Sequence, residues 1–147
     1  DLHSFPTRRS SDLRLEEGVD TYSKCEVFPA VVQIALRQPE RREEVVDWFR
    51  QVLRFATETL PEGDAFDSEL AGLQVCDIID LQATELKPEL EALFETGLVC
   101  EGICGSYTSV IRDLSDSCYI GRLEDWILDI HERYEDFRER FKDKLEC

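Results

Sequence analysis

Residues 84–99, TELKPELEALFETGLV, form the segment whose pattern decides the fold. Pro88 falls near the start of the pattern, where the first turn of a helix tolerates proline. Gly97 stands where a glycine in the left-handed conformation commonly ends a helix. The segment therefore predicts a short amphipathic helix that stops at Gly97. Its inner face consists of apolar residues at helical spacing, namely Leu90, Leu93 and Phe94.

Three more helices are predicted on the N-terminal side of this segment, again from the spacing of apolar residues. The first covers about residues 21–38, and Pro29 within it should kink the helix or delay its start. The second covers about residues 40–60. The third covers about residues 67–82 and has Asp67 as a plausible N-cap. No convincing alternation of apolar and polar residues marks a strand, so the expected class is all-α.

Two helices are predicted on the C-terminal side. Ser106 can cap a short helix that continues to about Leu114. The last helix, residues 122–146, carries a heptad-spaced apolar seam that runs from Leu123 to Phe141. This seam packs against the preceding hairpins or docks another chain. Packing within the domain is favoured, because most amphipathic helices cover their own domain.

The first four helices pair as two hairpins, the first with the second and the third with the fourth. Equivalent positions in the two hairpins, Tyr22 and Asp67, lie 45 residues apart. This separation falls within the period of two-helix solenoid repeats of the HEAT or armadillo kind, although a plain helical bundle gives similar spacing. The predicted architecture is a HEAT-like α-solenoid fragment of stacked antiparallel hairpins, followed by the long C-terminal helix.

The N-terminal segment has a different character. Residues 3–13, HSFPTRRSSDL, resemble the in-frame translation of a sequencing-library adapter, and the alternative is a genuine basic, Ser-rich arm. On the adapter interpretation, residues 1–13 carry no information about the fold. Residues 14–147 are then expected to form a single helical domain that lacks its natural N-terminal part.

Charge and cysteine content exclude several classes of function. The formal net charge is −16, and such an acidic surface repels nucleic acids and anionic lipids. No apolar run approaches the roughly 18 residues that suggest a membrane span. The six cysteines lack the spacing of a disulfide framework, which favours a reducing, cytoplasmic location.

Three segments carry a resemblance to a known family: REEVVDWFRQVL at 42–53, LQVCDIIDL at 73–81 and LKPELEALFETGLV at 86–99. Residues 21–114 resemble the bacterial domain-of-unknown-function family numbered 1186. The resemblance implies a HEAT-like helical solenoid and supplies no catalytic or binding residues. The chain departs from the family pattern at Phe28-Pro29, where an uninterrupted Ala-rich helix is expected, and at Cys100, where an Asp is usual.

Candidate chemical sites are few. Cys100, Cys104 and Cys118 could supply three thiolates to a zinc ion, but the C-x3-C spacing and the lack of a second pair or a nearby histidine favour unpaired cysteines. Asp77 and Asp80 share one helix face and could act as paired carboxylates, although capping or hydrogen bonding is the favoured role. We therefore predict no catalytic residue, cofactor or metal.

The expected function is a non-enzymatic protein-interaction scaffold, with a basic protein as the partner that the charge favours. Its possible interaction surface consists of aromatic residues, which are enriched at binding hot spots but occur more often in the core of amphipathic helices. These residues are Trp48, Trp126, Tyr134 and Phe141. The alternative function is a metal-binding or enzymatic regulator that uses Cys100, Cys104 and Cys118. A third possibility is the tail of a longer solenoid, and the sequence leaves the oligomeric state open.

Overall fold

A computed structural model describes residues 21–61 and 66–116, together with positions 131, 135, 138 and 139. The chain divides into two compact units, residues 1–116 and 117–147. The described part of the first unit is helical and contains no strand, which confirms the all-α class for these residues. Its α-helices are α1 (Thr21–Cys25), α2 (Val27–Arg37), α3 (Arg42–Thr59), α4 (Ser68–Asp80), α5 (Lys87–Glu95), α6 (Glu101–Cys104) and α7 (Tyr107–Asp113). Short 3₁₀ turns, Pro39–Arg41 and Thr84–Leu86, precede α3 and α5.

The predicted first helix is divided into two. The backbone turns at Glu26, α2 begins at Val27, and Pro29 is the third residue of α2. Proline is tolerated there because the first N–H groups of a helix have no intrahelical acceptor. The prediction that Pro29 delays the start of a helix is therefore confirmed.

Local capping chemistry fixes three other helix ends where the sequence predicted them. Asp67 accepts a hydrogen bond from the Leu70 amide, with an N···Oδ1 distance of 2.8 Å, and so caps α4. The hydroxyl of Ser106 accepts from the Ser109 amide at the start of α7. Gly97 has a φ of 68°, the left-handed conformation that ends the α5 segment.

The C-terminal end of α4 is held by a residue from another helix. Arg42, in the first turn of α3, donates to the carbonyl oxygens of Leu81 at 2.7 Å and Gln82 at 3.1 Å. Its guanidinium also forms an ion pair with Glu85 at 3.3 Å. Gln82 adopts a positive φ of 53°, where the chain leaves the helix. Arg42 therefore satisfies carbonyl groups that the helix itself leaves without a donor.

The core lies between the long helices. Helix α2 packs on α3 and on α4, α3 packs on α5, and α4 packs on α1 and α6. Each fully buried Phe or Leu side chain stabilises the fold by roughly 1.5–3 kcal/mol. The largest apolar side chains that are fully buried are Phe28, Phe49, Leu53, Phe66, Leu70, Ile78, Leu81, Leu86, Leu90, Leu93 and Leu114.

Helix α6 was not predicted, and its position depends on a close backbone approach. Gly72 on α4 faces the segment that leads into α6, and a Cβ atom there would lie 3.0 Å from the Cys100 carbonyl oxygen. The same Cβ would lie 3.1 Å from Ile103 Cβ. The Cys100 amide donates to the Ser68 carbonyl at 3.0 Å, which secures the start of α6 to the first turn of α4.

Several predictions fall wholly or largely outside the described residues. Within the predicted helix 122–146, only positions 131, 135, 138 and 139 are described, and each is helical and exposed. Residues 3–13 also lie outside, so the adapter interpretation and the single domain over residues 14–147 stay predictions. In the described part of the chain, no helix has both the length and the apolar character of a membrane span.

Candidate interaction site

An open groove runs between α3 and α5, with a volume of about 300 Å³. Two rows of side chains line it, and each row has the spacing of one helical turn, four residues apart. Helix α3 contributes Arg54 and Glu58, and α5 contributes Pro88 and Ala92. Thr57 and Glu89 complete the lining. We call this feature the α3–α5 groove.

Ion pairs across the groove join α3 to α5. The Glu89 carboxylate is 12% exposed, and its Oε1 atom lies 3.0 Å from Arg54 Nη2 and 3.4 Å from Arg50 Nε. Arg50 also pairs with Asp47 in the preceding turn of α3. Because two arginines share the half-buried Glu89, these contacts hold the two walls together more firmly than an isolated exposed pair does. The arginines therefore have a structural role at the groove.

The side chains that line the groove form no pair of a nucleophile and an adjacent base. Its lining contains no histidine or cysteine, and Arg54 and Glu89 neutralise each other. The Thr57 hydroxyl donates to the Leu53 carbonyl of its own helix at 2.9 Å, so no adjacent base activates it. Pro88 and Ala92 are exposed and offer an apolar contact surface, and the Glu58 carboxylate stands exposed beside them.

Most of the described arginines are already paired with a carboxylate. Arg41, Arg42 and Arg112 pair with Glu44, Glu85 and Asp113 respectively. Arg50 and Arg54 engage carboxylates as described above. The whole chain has a formal net charge of −16, and among the described residues the carboxylates of Glu43, Glu91 and Glu95 are exposed.

Trp48 belongs to an aromatic cluster between α2 and α3. Its ring centroid lies 5.0 Å from that of Phe49, nearly at right angles, and 6.0 Å from that of Phe28. Phe28 and Phe49 are fully buried, whereas Trp48 is half-buried. The cluster gives Trp48 a packing role, and its remaining exposed surface leaves the predicted interaction role open. The other aromatic candidates, Trp126, Tyr134 and Phe141, lie outside the described residues.

The predicted cysteine site is assembled only in part. Cys118 lies outside the described residues, and Cys100 and Cys104 lie at the start and end of α6, near Cys76 of α4. Burial raises the pKa of the Cys104 thiol to about 11, with the neighbouring Cys76 thiol as the next cause. Burial also raises the pKa of Cys76. In the described ranges, no group of three or more His, Cys, Asp or Glu side chains is arranged to hold a metal ion.

Asp77 and Asp80 do share one face of α4, as predicted. Burial, together with the neighbouring carboxylates of Asp80 and Glu26, raises the pKa of the Asp77 carboxyl to about 8. Asp77 therefore holds a proton at pH 7. Ionisation of such a carboxyl can make the stability of the fold depend on pH. By itself it carries out no reaction.

Part of the pattern that forms the groove is present in the sequence. Small or rigid apolar residues on the outer face of α5, Pro88 and Ala92, oppose a charged i,i+4 pair on α3, Arg54 and Glu58. Each row is visible in the sequence. Their juxtaposition depends on packing between helices whose paired residues, Arg54 and Glu89, lie 35 positions apart.

Comparison of the chain with models of protein families, with curated proteins and with solved structures gives no match.

Proposed function

We propose that this chain is a non-enzymatic scaffold that binds a basic protein partner, with the α3–α5 groove as its docking site. The observation that carries the proposal is the groove itself. It is open, it offers apolar contacts at Pro88 and Ala92, and its rim bears the exposed Glu58 carboxylate. A space of about 300 Å³ suits one anchoring side chain of a partner. The fitting ligand is an apolar side chain flanked by lysines or arginines.

The packing of the helices supports a HEAT-like arrangement as the scaffold. In stacked two-helix repeats, the first helices of successive hairpins pack together, and so do the second helices. The corresponding contacts here are α2 on α4 and α3 on α5. We therefore propose that the chain is a solenoid fragment. We also propose that it is related to the family numbered 1186, as the sequence suggests, and that it acts in the bacterial cytoplasm.

A peptide titration tests the docking site. The probe is a synthetic peptide with a central leucine flanked by lysines, and the matched peptide has glutamates in place of the lysines. Amide chemical shifts of the isotope-labelled chain are followed by NMR. We expect the lysine peptide to shift Thr57, Glu58 and Ala92 in a salt-dependent manner. Shifts confined to other surfaces, or equal binding of both peptides, contradict the proposal.

A matched pair of variants separates groove filling from general effects. Ala92 and Ala30 are both exposed alanines on helices, but only Ala92 lines the groove. Ala92→Phe should abolish the shifts by occupying the groove, whereas Ala30→Phe should leave them unchanged. Glu58→Gln should weaken binding roughly two- to fivefold, as expected for the loss of one exposed charge pair. Full binding to Ala92→Phe would place the site elsewhere.

Metal analysis of the purified chain tests the alternative function at Cys100, Cys104 and Cys118. Stoichiometric zinc that disappears in Cys100→Ser or Cys104→Ser would replace the pure scaffold with a metal-dependent protein. The expected result is no stoichiometric zinc, because the described residues contain no group of three or more His, Cys, Asp or Glu side chains arranged to hold a metal ion.

A further inference from the structure

Two cysteines lie where α6 packs on α4. The Cys76 thiol, on α4, donates a long hydrogen bond to the Ile103 carbonyl oxygen, with an Sγ···O distance of 3.9 Å. Ile103 immediately precedes Cys104, the last residue of α6. Cys76 is half-buried and Cys104 is 9% exposed. Both are free thiols in the structure.

The backbones of α4 and α6 approach each other closely one turn before Cys76. Gly72 lies one turn before Cys76, and its missing side chain admits the Cys100 carbonyl and Ile103 into contact with α4. The hydrogen bond from the Cys100 amide to the Ser68 carbonyl holds the start of the same segment against the first turn of α4. A disulfide requires Cα atoms about 4.4–6.8 Å apart, a separation that only closely packed backbones provide.

Cys76 is a better partner for Cys104 than Cys100 is. Cys100 and Cys104 are the N-cap and the last residue of one short helix, and positions four apart on a helix have Cβ atoms about 5–6 Å apart, whereas a disulfide needs about 3.5–4.5 Å. The Cys100 sulfur lies 3.8 Å from the position that a Cβ on Gly102 would occupy, which places this sulfur beside Gly102.

We infer that Cys76 and Cys104 form an oxidation site at which a hydroperoxide converts two thiols into a disulfide. The more accessible Cys76 reacts first, as a thiolate that attacks the peroxide oxygen. With hydrogen peroxide, this step gives a sulfenic acid and one water. The Cys104 sulfur then attacks the Cys76 sulfur and expels a second water, so that the S–S bond replaces two S–H bonds. The peroxide accepts the two electrons that the thiols lose.

The raised pKa of both thiols makes the reaction slow at neutral pH, because the thiolate is the attacking form. The disulfide should therefore form under sustained oxidation, and its rate should increase with pH. Once formed, the bond ties α6 to α4. It restricts the segment that carries the exposed side chains of Leu98 and Ile103.

Peptide mapping tests the site in the full chain. Cys25, Cys118 and Cys147 are replaced by Ser, so that only Cys76, Cys100 and Cys104 remain. The folded protein is treated with hydrogen peroxide, and remaining thiols are alkylated before proteolysis and mass spectrometry. We expect a Cys76–Cys104 cross-linked peptide that dithiothreitol removes, a melting temperature several degrees higher than in the reduced form, and faster formation at pH 9 than at pH 7.

Two further variants make the outcome decisive. Cys100→Ser should retain the cross-link and Cys76→Ser should lose it, while circular dichroism checks that each remains helical. Cys104→Ala should also lose the cross-link, because it removes the buried thiol, and it keeps an apolar side chain in the core. A Cys100–Cys104 cross-link, or oxidation of the separate thiols without any cross-link, overturns the inference.

Discussion

Gln74 is a polar side chain in an apolar interior. It is fully buried on α4, one helical turn from Leu70 and Ile78, which are also fully buried. Among the described residues, no group forms a hydrogen bond with its side-chain oxygen or nitrogen. An unpaired buried amide costs roughly 1–3 kcal/mol. Gln74 therefore lowers the stability of the fold that surrounds it.

Replacing Gln74 with an apolar residue of similar shape should stabilise the protein. For Gln74→Met we expect the free energy of unfolding to increase by about 1 kcal/mol or more, because the buried amide is removed and the volume is kept. Urea unfolding measures the change. The control, Gln51→Met at an exposed position of α3, should change it by less than about 0.5 kcal/mol. A clear loss of stability in Gln74→Met would mean that the amide has a partner.

The raised pKa of Asp77 predicts a loss of stability with rising pH. The folded protein holds a proton on Asp77 up to about pH 8, whereas the unfolded chain releases it near pH 4. Between these values the folded state binds more protons, so the free energy of unfolding decreases as the pH increases. Each unit of pKa shift corresponds to about 1.4 kcal/mol, so the total loss is a few kcal/mol.

The variant Asp77→Asn should remove this dependence and stabilise the protein at pH 8, because a neutral amide replaces the carboxyl that must ionise. Chemical unfolding at pH 5, 6.5 and 8 measures the effect. Asp113→Asn, at a half-buried carboxyl paired with Arg112, is the control and should keep the slope. An unchanged slope in Asp77→Asn would assign the pH dependence to another group.

At the scale of elements, the contact between α4 and α6 depends on Gly72. We expect Gly72→Ala to destabilise the protein by roughly 1–3 kcal/mol, because the new Cβ would press on the Cys100 carbonyl and on Ile103. Alanine improves helix propensity by at most about 1 kcal/mol, which is too little to offset the clash. Thermal and urea unfolding measure the difference.

Gly102→Ala is the matched control for this substitution. Gly102 also lies in a helix, and a Cβ there would meet only Cys100 Sγ at an ordinary contact distance of 3.8 Å. The substitution should therefore be neutral or slightly stabilising. If both alanine variants have equal stability, the close approach of α6 does not depend on Gly72.

The sequence predicted the elements whose ends are encoded nearby. Asp67, Gly97 and Ser106 act within a few residues of the helix ends that they fix, so their chemistry is visible in the sequence. The short helix α6 and the α3–α5 groove were not predicted. Each depends on packing between residues far apart in the chain, and the periodicity of a single segment does not contain that information.

At the scale of the whole molecule, the surplus negative charge predicts that salt stabilises the fold. The net charge is −16, and repulsion among like charges opposes a compact state. The Debye length, beyond which exposed charges are largely screened from each other, is about 30 Å at 0.01 M salt and about 3 Å at 1 M salt. Salt also weakens attractive pairs such as Arg54–Glu89, but the excess of carboxylates makes repulsion the larger effect.

We therefore expect the melting temperature to increase by several degrees from low salt to about 0.5 M sodium chloride. The double variant Glu91→Gln/Glu95→Gln, at two exposed positions of α5, should respond less to salt because part of the repulsion is gone. Potassium chloride should act like sodium chloride if screening is the cause. A melting temperature that decreases with salt would show that the ion pairs outweigh the repulsion.

The long-range bonds of Arg42 also bear on the order in which the fold forms. The carbonyl of Leu81 accepts from a residue 39 positions earlier, so the end of α4 is completed by a loop closure and not by its own sequence. Closing a loop of this length costs entropy before its contacts form. Asp67 caps the N-terminal end of α4 locally, whereas the Arg42 hydrogen bonds at its C-terminal end form only once α3 is in place. We therefore expect the cap at the C-terminal end of α4 to form later in folding than the cap at its N-terminal end.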